Sequence, residues 1–347
     1  MRKLIAAALI SASVTVLVQS AACAHGSKLT AVNPFPGSTM TWVYDINADN
    51  LIVGGYFDSG GVEHGFYGPL NGSYTSFDYG ADSTVTEGRA ISDLGEIDGY
   101  APGPSFVSGA EFLLDPTTGK ITTLTKKGAG TLDGIAQGFT RRNVWVGDYL
   151  NPTTGAFTGY RGNKGRYAGD VDLGFETQRT SPRAINRDGA IAGWFIDTDG
   201  LQHGFLLSPD GSVQVIDLDD SGTTVLEGLN NHECIIGQTT DSTGAYHSYV
   251  LDDTTGRASV IAVPGSAYQR AWGISDGGLV ALYTDTGSYI LGSIKPGNIP
   301  GKKSCPSGGE EAKVRIMTAS EFVLNQAARG NDHRRVPPMS RTQGALP

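Results

Sequence analysis

Hydrophobic residues along this chain fall in short alternating bursts separated by glycine-rich turns. The burst Glu96-Ile97-Asp98-Gly99-Tyr100 shows the pattern. Successive side chains leave a strand on opposite faces, so alternation at period two predicts strands with one face buried. The bursts recur in a phrase that opens on an aliphatic or aromatic residue, usually followed by Asn or Ser, and closes on Gly eight positions later. Ile46 to Gly54, Ile91 to Gly99, Phe139 to Gly147, Ile185 to Gly193 and Leu229 to Gly237 keep that interval, and Ile274 to Leu282 keeps it with the glycine lost. Steps of 45, 48, 46, 44 and 45 residues separate the closing positions, which makes the phrase a unit of structure.

The clearest copy spans 184–207. Asp188-Gly189 and Asp199-Gly200 supply the residues that tight hairpins favour, because glycine accepts positive φ without strain. The copy divides into strand a at 184–186, strand b at 190–195, strand c at 203–207 and strand d at 213–217, with a loop of about ten residues before the next strand a. A lone four-stranded sheet has two apolar faces and buries both only against neighbours. Six such units predict an all-β, six-bladed β-propeller of antiparallel blades, with a solenoid as the competing arrangement. The N-terminal stretch decides between them. Lys28-Leu29-Thr30-Ala31-Val32 precedes Pro36-Gly37-Ser38 and Ile46, as Val260-Ile261-Ala262-Val263 precedes Pro264-Gly265-Ser266 and Ile274. The chain therefore opens on a detached strand d, and the sixth copy stops after a strand c at 289–291. Pairing of the two completes the last blade and closes the ring.

Composition divides the chain into three parts. Residues 1–24 combine Arg2 and Lys3, an apolar run and Ala22-Cys23-Ala24, the pattern of a secretory signal peptide. Residues 25–295 form the propeller. Residues 296–347 lack the repeat, are rich in Gly, Pro, Ser and Lys, and are expected to be mostly disordered, with a short helix at 319–329. No later apolar run is long enough to span a bilayer. From 28 to 295 there are 16 basic and 31 acidic residues, a net charge of −15, against +4 for the tail. That sign disfavours nucleic acid as a partner. The 49 glycines follow the repeat and are structural rather than low in complexity. Past the signal segment only Cys234 and Cys305 remain, and their pairing stays open.

Candidate chemistry is sparse. His64, His203 and His247 each stand ten residues after a closing glycine. Equivalent positions in a ring of blades are spread round a circle, so these imidazoles are expected to open strand c and bond a turn backbone rather than share a metal. Asp58, Asp197, Asp241 and the Asp252-Asp253 pair lie in hairpin turns. Each turn offers too few oxygens for calcium by itself, leaving a calcium site as the one cofactor the pattern allows. Tyr56, Tyr100, Tyr149, Trp194 and Tyr283 follow strand b and are read as packing contacts between blades, with a sugar-stacking face as the functional alternative. The third copy departs most, with Arg141-Arg142-Asn143 in its first turn and a later cluster of Arg161, Lys164 and Arg166, read as solvated turns. There is no Gly-x-Ser-x-Gly, His-Glu-x-x-His or phosphate-cradling Gly-Lys-Ser/Thr, and no residue is singled out as catalytic, cofactor-binding or metal-ligating.

The phrase, followed by His64-Gly65-Phe66, His203-Gly204-Phe205 and His247-Ser248-Tyr249, resembles the bacterial extracellular repeat family named for its His-Ala-Phe tripeptide. The second, third and sixth copies depart from the tripeptide. The resemblance runs from about Trp42 to Leu291 and implies a secreted bacterial propeller, with no general catalytic motif to carry over. The expectation is an exported, periplasmic or extracellular monomer that acts as a non-catalytic binding or scaffold module for a protein or glycan. A secreted propeller hydrolase or lyase acting on a glycan is the alternative. Two carboxylates from different blades meeting at the channel mouth would favour it.

Overall fold

In blades 1 and 5 an asparagine shapes the first hairpin and ties it to the next copy. The Asn47 Oδ1 accepts from the Asp49 and Leu51 amides at 3.0 Å each, while its Nδ2 donates to the Ser92 carbonyl of the following copy at 2.9 Å. Asn230 does the same, accepting from the His232 and Cys234 amides and donating to the Ser275 carbonyl at 3.0 Å. A buried amide side chain bonded through both its oxygen and its nitrogen is a strong local constraint.

The computed structural model describes residues 28–332 except 71, 103–109, 127–129, 132–133, 141–143, 164–165, 220–221, 264, 293–304, 306–310 and 313. Six antiparallel sheets form the six blades of a β-propeller. Their innermost strands are Met40–Ile46, Glu87–Ile91, Gly134–Thr140, Arg179–Ile185, Val225–Leu229 and Gln269–Ile274. In the clearest copy the inner strand begins five residues before the 184 expected, at Arg179. The closing glycine lies where strand b crosses strand a: a Cβ would meet the Trp42 carbonyl oxygen at 1.9 Å from Gly54 and the Ser181 carbonyl oxygen at 2.4 Å from Gly193. Blades stack through apolar faces. Ala184, Leu206 and Ile216 of blade 4 are buried against Leu226, Ile235 and Leu251 of blade 5.

The ring closes as expected. Lys28–Val32 pairs antiparallel with Gly287–Gly292, from Lys28 opposite Gly292 to Val32 opposite Ser288. The two turns that led to this pairing are alike in the structure, with Gly37 and Gly265 at φ +86° and +80°. The signal segment lies outside the described residues.

The expectation of a mostly disordered tail is corrected for 311–312 and 315–332. Glu311–Ala312 adds a strand to blade 5 beside Arg257–Ile261, and Arg315–Thr318 adds one to blade 4 beside Val213–Asp217. The predicted helix forms over Ala319–Asp332. Its start is a reciprocal cap: the Glu321 amide donates to the Thr318 Oγ1 at 3.2 Å, and the Thr318 amide donates to the Glu321 Oε2 at 2.8 Å. Phe322 is buried against Phe175, Phe195 and His203. Cys234 and Cys305 form a disulfide. Two blade edges are thus covered by the segment that follows the ring. Among the described residues no helix is long and apolar enough to cross a membrane.

The bridge joins residues 71 apart. Loop entropy sets its contribution at about 4 kcal/mol. Cys305→Ser is expected to lower the denaturant midpoint and to expose the tail to proteolysis before the ring; an unchanged midpoint and cleavage pattern would show that the tail is held by its strands alone.

Candidate binding site on the ring axis

Every inner strand carries a β-bulge at the same position of the repeat. The register shifts between Val43 and Asp45, Gly88 and Ala90, Ala136 and Gly138, Pro182 and Ala184, Leu226 and Gly228, and Ala271 and Gly273. A bulge re-aims the extra residue. The six residues so placed are Tyr44, Arg89, Gln137, Arg183, Glu227 and Trp272, and all line cavities on the axis.

These side chains divide the axis in two. Toward the a–b turns lies a narrow space of about 70 Å³, bordered by all six blades. Its mouth is bridged by Arg187, whose Nη2 reaches Asp93 Oδ2 at 3.4 Å and Asp276 Oδ2 at 3.5 Å, while the Arg187 amide donates to the Asn231 Oδ1 at 2.6 Å. Toward the opposite face lies a cavity of about 980 Å³ between blades 1, 2 and 6. Trp42, Tyr44, Tyr100, Tyr268, Trp272 and Tyr283 contribute to its walls, with Glu63, Glu87, Arg89 and Arg270 among them.

The charges in the channel are paired and stacked. The Arg89 guanidinium lies 4.4 Å from the Tyr44 ring centre and 3.2 Å from Glu87. The Arg270 guanidinium lies 4.3 Å over Trp272 and donates to the Glu227 Oε1 at 3.1 Å. Arg183 approaches the other Glu227 oxygen at 3.7 Å, and Gln238 donates to Glu227 at 3.3 Å. Across the channel, Arg179 donates to Asp148 at 2.8 Å and lies 4.6 Å from the Trp194 ring. A guanidinium held flat on an aromatic face keeps its charge while shedding water. Burial pushes the Glu63 carboxyl up to about 8, and the adjacent Glu87 carboxylate adds to the shift against the pull of Arg89. Burial likewise raises Asp45 to about 6, although the Ile91 and Ile46 amides both donate to it.

The aromatic residues after strand b split by parity. Tyr100, Trp194 and Tyr283 stand one residue past the closing position and face the channel, where Tyr100 and Tyr283 line the wide cavity. Tyr56 and Tyr149 stand two past it and face their own blades, against His64 and Tyr160. Adjacent residues of a strand point to opposite faces, so the two groups hold different roles. Packing accounts for Tyr56 and Tyr149, and the channel claims the other three.

The histidines bond carboxylates, which corrects the expected backbone partners. His203 contacts Asp217 through Nδ1 at 2.8 Å and Asp197 through Nε2 at 3.3 Å. His64 repeats this with Asp78 at 2.8 Å and Asp58 at 3.5 Å, and His247 reaches Asp241 at 2.9 Å. The other oxygen of each turn aspartate accepts from the turn's own amides, as Asp197 Oδ1 does from Asp199 and Leu201 at 2.9 and 2.8 Å. Asp58, Asp197 and Asp241 therefore form hairpin locks with the three histidines, whereas Asp252 accepts from the Thr255 amide of its own turn at 3.2 Å. Among the described residues no three His, Cys, Asp or Glu side chains converge on one ion position. Of the basic cluster in the third copy, Arg161 and Arg166 are exposed, while 141–143 and Lys164 lie outside the described residues.

No family model matches the chain, and no curated protein matches it. It is similar to several solved structures. A TolB candidate from Agrobacterium tumefaciens shares 15% identity at a TM-score of 0.50, covering 80% of this chain and 90% of that one. TolB from Acinetobacter baumannii shares 16% at 0.45, covering 82% and 68%. A streptogramin B lyase shares 12% at 0.45, covering 85% and 99%. At such identities the likeness is one of fold alone.

Burial opposes the charge of His203, but the bonds to Asp197 and Asp217 outweigh it and raise its pKa from 6.5 to about 9. Because the folded value is the higher, the stabilisation is full below pH 6.5 and is lost as pH rises through 9. Stability measured by urea unfolding is expected to fall by roughly 3 kcal/mol across that window from this group, and His203→Gln to remove that part while leaving the fall up to pH 8 that the raised Glu63 carboxyl contributes. In the channel, Glu227→Ala strands two arginines in a largely buried site. It is expected to cost about 3 kcal/mol, with Glu227→Gln intermediate; a loss below 1 kcal/mol would mean that water replaces the carboxylate.

Proposed function

We propose that this protein is an exported, monomeric, non-catalytic binding propeller, related to the His-Ala-Phe repeat proteins, that takes its ligand into the wide axial cavity. The observation that carries this reading is the asymmetry of the axis. One mouth is bridged by Arg187, while the other holds about 980 Å³ walled by aromatic rings and stacked arginines from three blades. Concave, largely apolar sites with a few fixed polar groups are where small ligands bind. The 1–24 segment supports export, and the acidic ring supports a partner other than nucleic acid.

A second reading, a hydrolase or lyase acting on a glycan, draws on one observation. Glu63 of blade 1 and Glu87 of blade 2 meet at this cavity, where burial and then the Glu87 charge raise the Glu63 carboxyl to about 8, as a general acid requires.

The mature chain, screened on a glycan array and against a small-molecule panel by thermal shift, is expected to yield a ligand. Trp272→Ala should weaken its binding at least tenfold, with Arg166→Ala as a silent control. Equal loss in both variants, or none in either, would remove the cavity from consideration. Release of reducing ends that stops in Glu63→Gln while binding persists would favour the second reading.

A further inference from the structure

A run of aromatic rings crosses the face on which the wide cavity opens. Phe57 and Trp42 of blade 1, Tyr283 and Tyr268 of blade 6 and Tyr246 of blade 5 follow one another at 5.4, 6.0, 5.9 and 5.0 Å between ring centres. All five are partly exposed. Three of the four contacts are edge-to-face, an arrangement that leaves a notch beside each pair of rings. Among the described residues no guanidinium stacks on Phe57, Trp42, Tyr283 or Tyr268, whereas Arg270 lies over Trp272 and 5.6 Å from Tyr246. A polyproline II strand advances about 3.1 Å per residue, so each step between rings matches about two of its residues. Aromatic-lined grooves are the surfaces on which such strands dock.

The sequence holds one Pro-Pro pair, Pro337-Pro338, in the segment 333–347. That segment lies outside the described residues, and the helix before it rises toward the same face. Thr318, just ahead of the helix, stands opposite Gln214 beside the c–d turn of blade 4, and Gln326, about two turns on, donates to Asp197 of the b–c turn at 3.1 Å. The cavity opens among b–c turns, because its wall residues Phe57 and Asp285 adjoin those of blades 1 and 6. The chain is thus delivered on blade 4, one blade away from the Tyr246 end of the run. Packed sheets lie about 10 Å apart, and residues 333–347 extended as polyproline II span about 45 Å. Charge favours the same match. The ring carries −15 and its mouth exposes Asp82 and Asp285, while the segment has Arg334, Arg335 and Arg341 and no acidic side chain.

We propose that residues 333–347 dock as a polyproline II strand along this aromatic run, with Pro337 and Pro338 between its rings and the arginines on the acidic mouth, covering the wide cavity until a ligand displaces them. The docking stands on rings, reach and charge; only its competition with a ligand rests on the cavity being the ligand site.

The mature full chain is digested with trypsin under native conditions, and cleavage after Arg335 and Arg341 is followed by mass spectrometry against the free peptide 333–347. Docking is expected to slow both cuts at least tenfold relative to the peptide. Trp42→Ala should remove the protection, as should Pro337→Gly combined with Pro338→Gly, which leaves the ring untouched and decides the matter if Trp42→Ala does not fold. The cut chain should bind added peptide 333–347, and any ligand of the cavity should bind the cut chain at least tenfold more tightly than the whole. Cleavage at the rate of the free peptide would overturn the docking, while a ligand lost in Trp272→Ala would still stand. Protection that persists in a folded Trp42→Ala chain would overturn it too, by placing the segment elsewhere. Protection that rises with protein concentration, together with a dimer in sedimentation, would replace it with docking on a second copy. Protection with the same ligand affinity before and after cutting would keep the docking and remove the cavity as the ligand site.

Discussion

The pairing of Lys28–Val32 with Gly287–Gly292 is the contact on which the rest depends, because it turns an array of sheets into a ring. An open array of six blades has five interfaces and leaves two apolar faces in water, whereas a ring has six and leaves none. Closing a loop of this length costs about 5 kcal/mol, since the entropy grows only with the logarithm of length. Val32, Val43, Ile52, Phe66, Ala281 and Ile290 are buried together where blades 1 and 6 meet. At about 1.5–3 kcal/mol for each large side chain so buried, that interface outweighs closure roughly two-fold. The Ser288 hydroxyl, donating to the Thr41 carbonyl at 2.8 Å, fixes the register of the two blades.

Once the ring is closed, geometry dictates which side chains can meet. The inner strands run along the axis, joined by the residue one past each closing position, and the shared bulge presents one further residue of each inner strand to it. A regular strand would place the same residue in the plane between blades, where a buried arginine or glutamate would find no counter-ion from across the channel. The bulge therefore makes the Arg183–Glu227–Arg270 group attainable, joining blades 4, 5 and 6 through one carboxylate. The neighbouring glycines permit the same approach between blades: a Cβ on Gly273 would lie 2.7 Å from the Asp45 Cα of the next blade.

The architecture was legible in the sequence because hydrophobic alternation, turn residues and repeat spacing all pointed to one answer. Ring closure was legible as well, from the detached strand and its Pro-Gly-Ser turn. The inner strands were read too short because residues 179–183, Arg-Thr-Ser-Pro-Arg, show no alternation of apolar and polar types. Their buried face is a polar channel, so the usual signal is absent. The aromatic residues after strand b were grouped although they sit at two offsets, and one residue of offset reverses the face. The tail's Thr318-Ala-Ser-Glu321 is a capping box that marks where the helix begins. Its flanking strands have no such mark, because a short strand added to an existing edge takes its hydrogen bonds from the blade and needs little pattern of its own. Glu63 gave no signal at all. It stands beside His64, in a strand whose turn and packing residues explain themselves without it.

The six copies also serve as an alignment of the chain with itself. Positions that build the blade keep their chemistry: an aliphatic or aromatic opens the phrase, and glycine closes it in five of six copies. The position at the bulge keeps its geometry and gives up its chemistry, reading Tyr44, Arg89, Gln137, Arg183, Glu227 and Trp272. A position constrained by packing would repeat its residue, since all six environments would be equivalent. A position free in solvent would vary at random and would not assemble pairs matched in charge and stacked on aromatic rings. Variation within a fixed geometry, with Tyr44 meeting Arg89 and Trp272, and Arg183 meeting Glu227, marks a position released from the chemistry of the repeat but held to its shape. The glycine at position 55 extends the same logic by one step, since the copy that lacks a side chain there is the one that brings a carboxyl group into the wall.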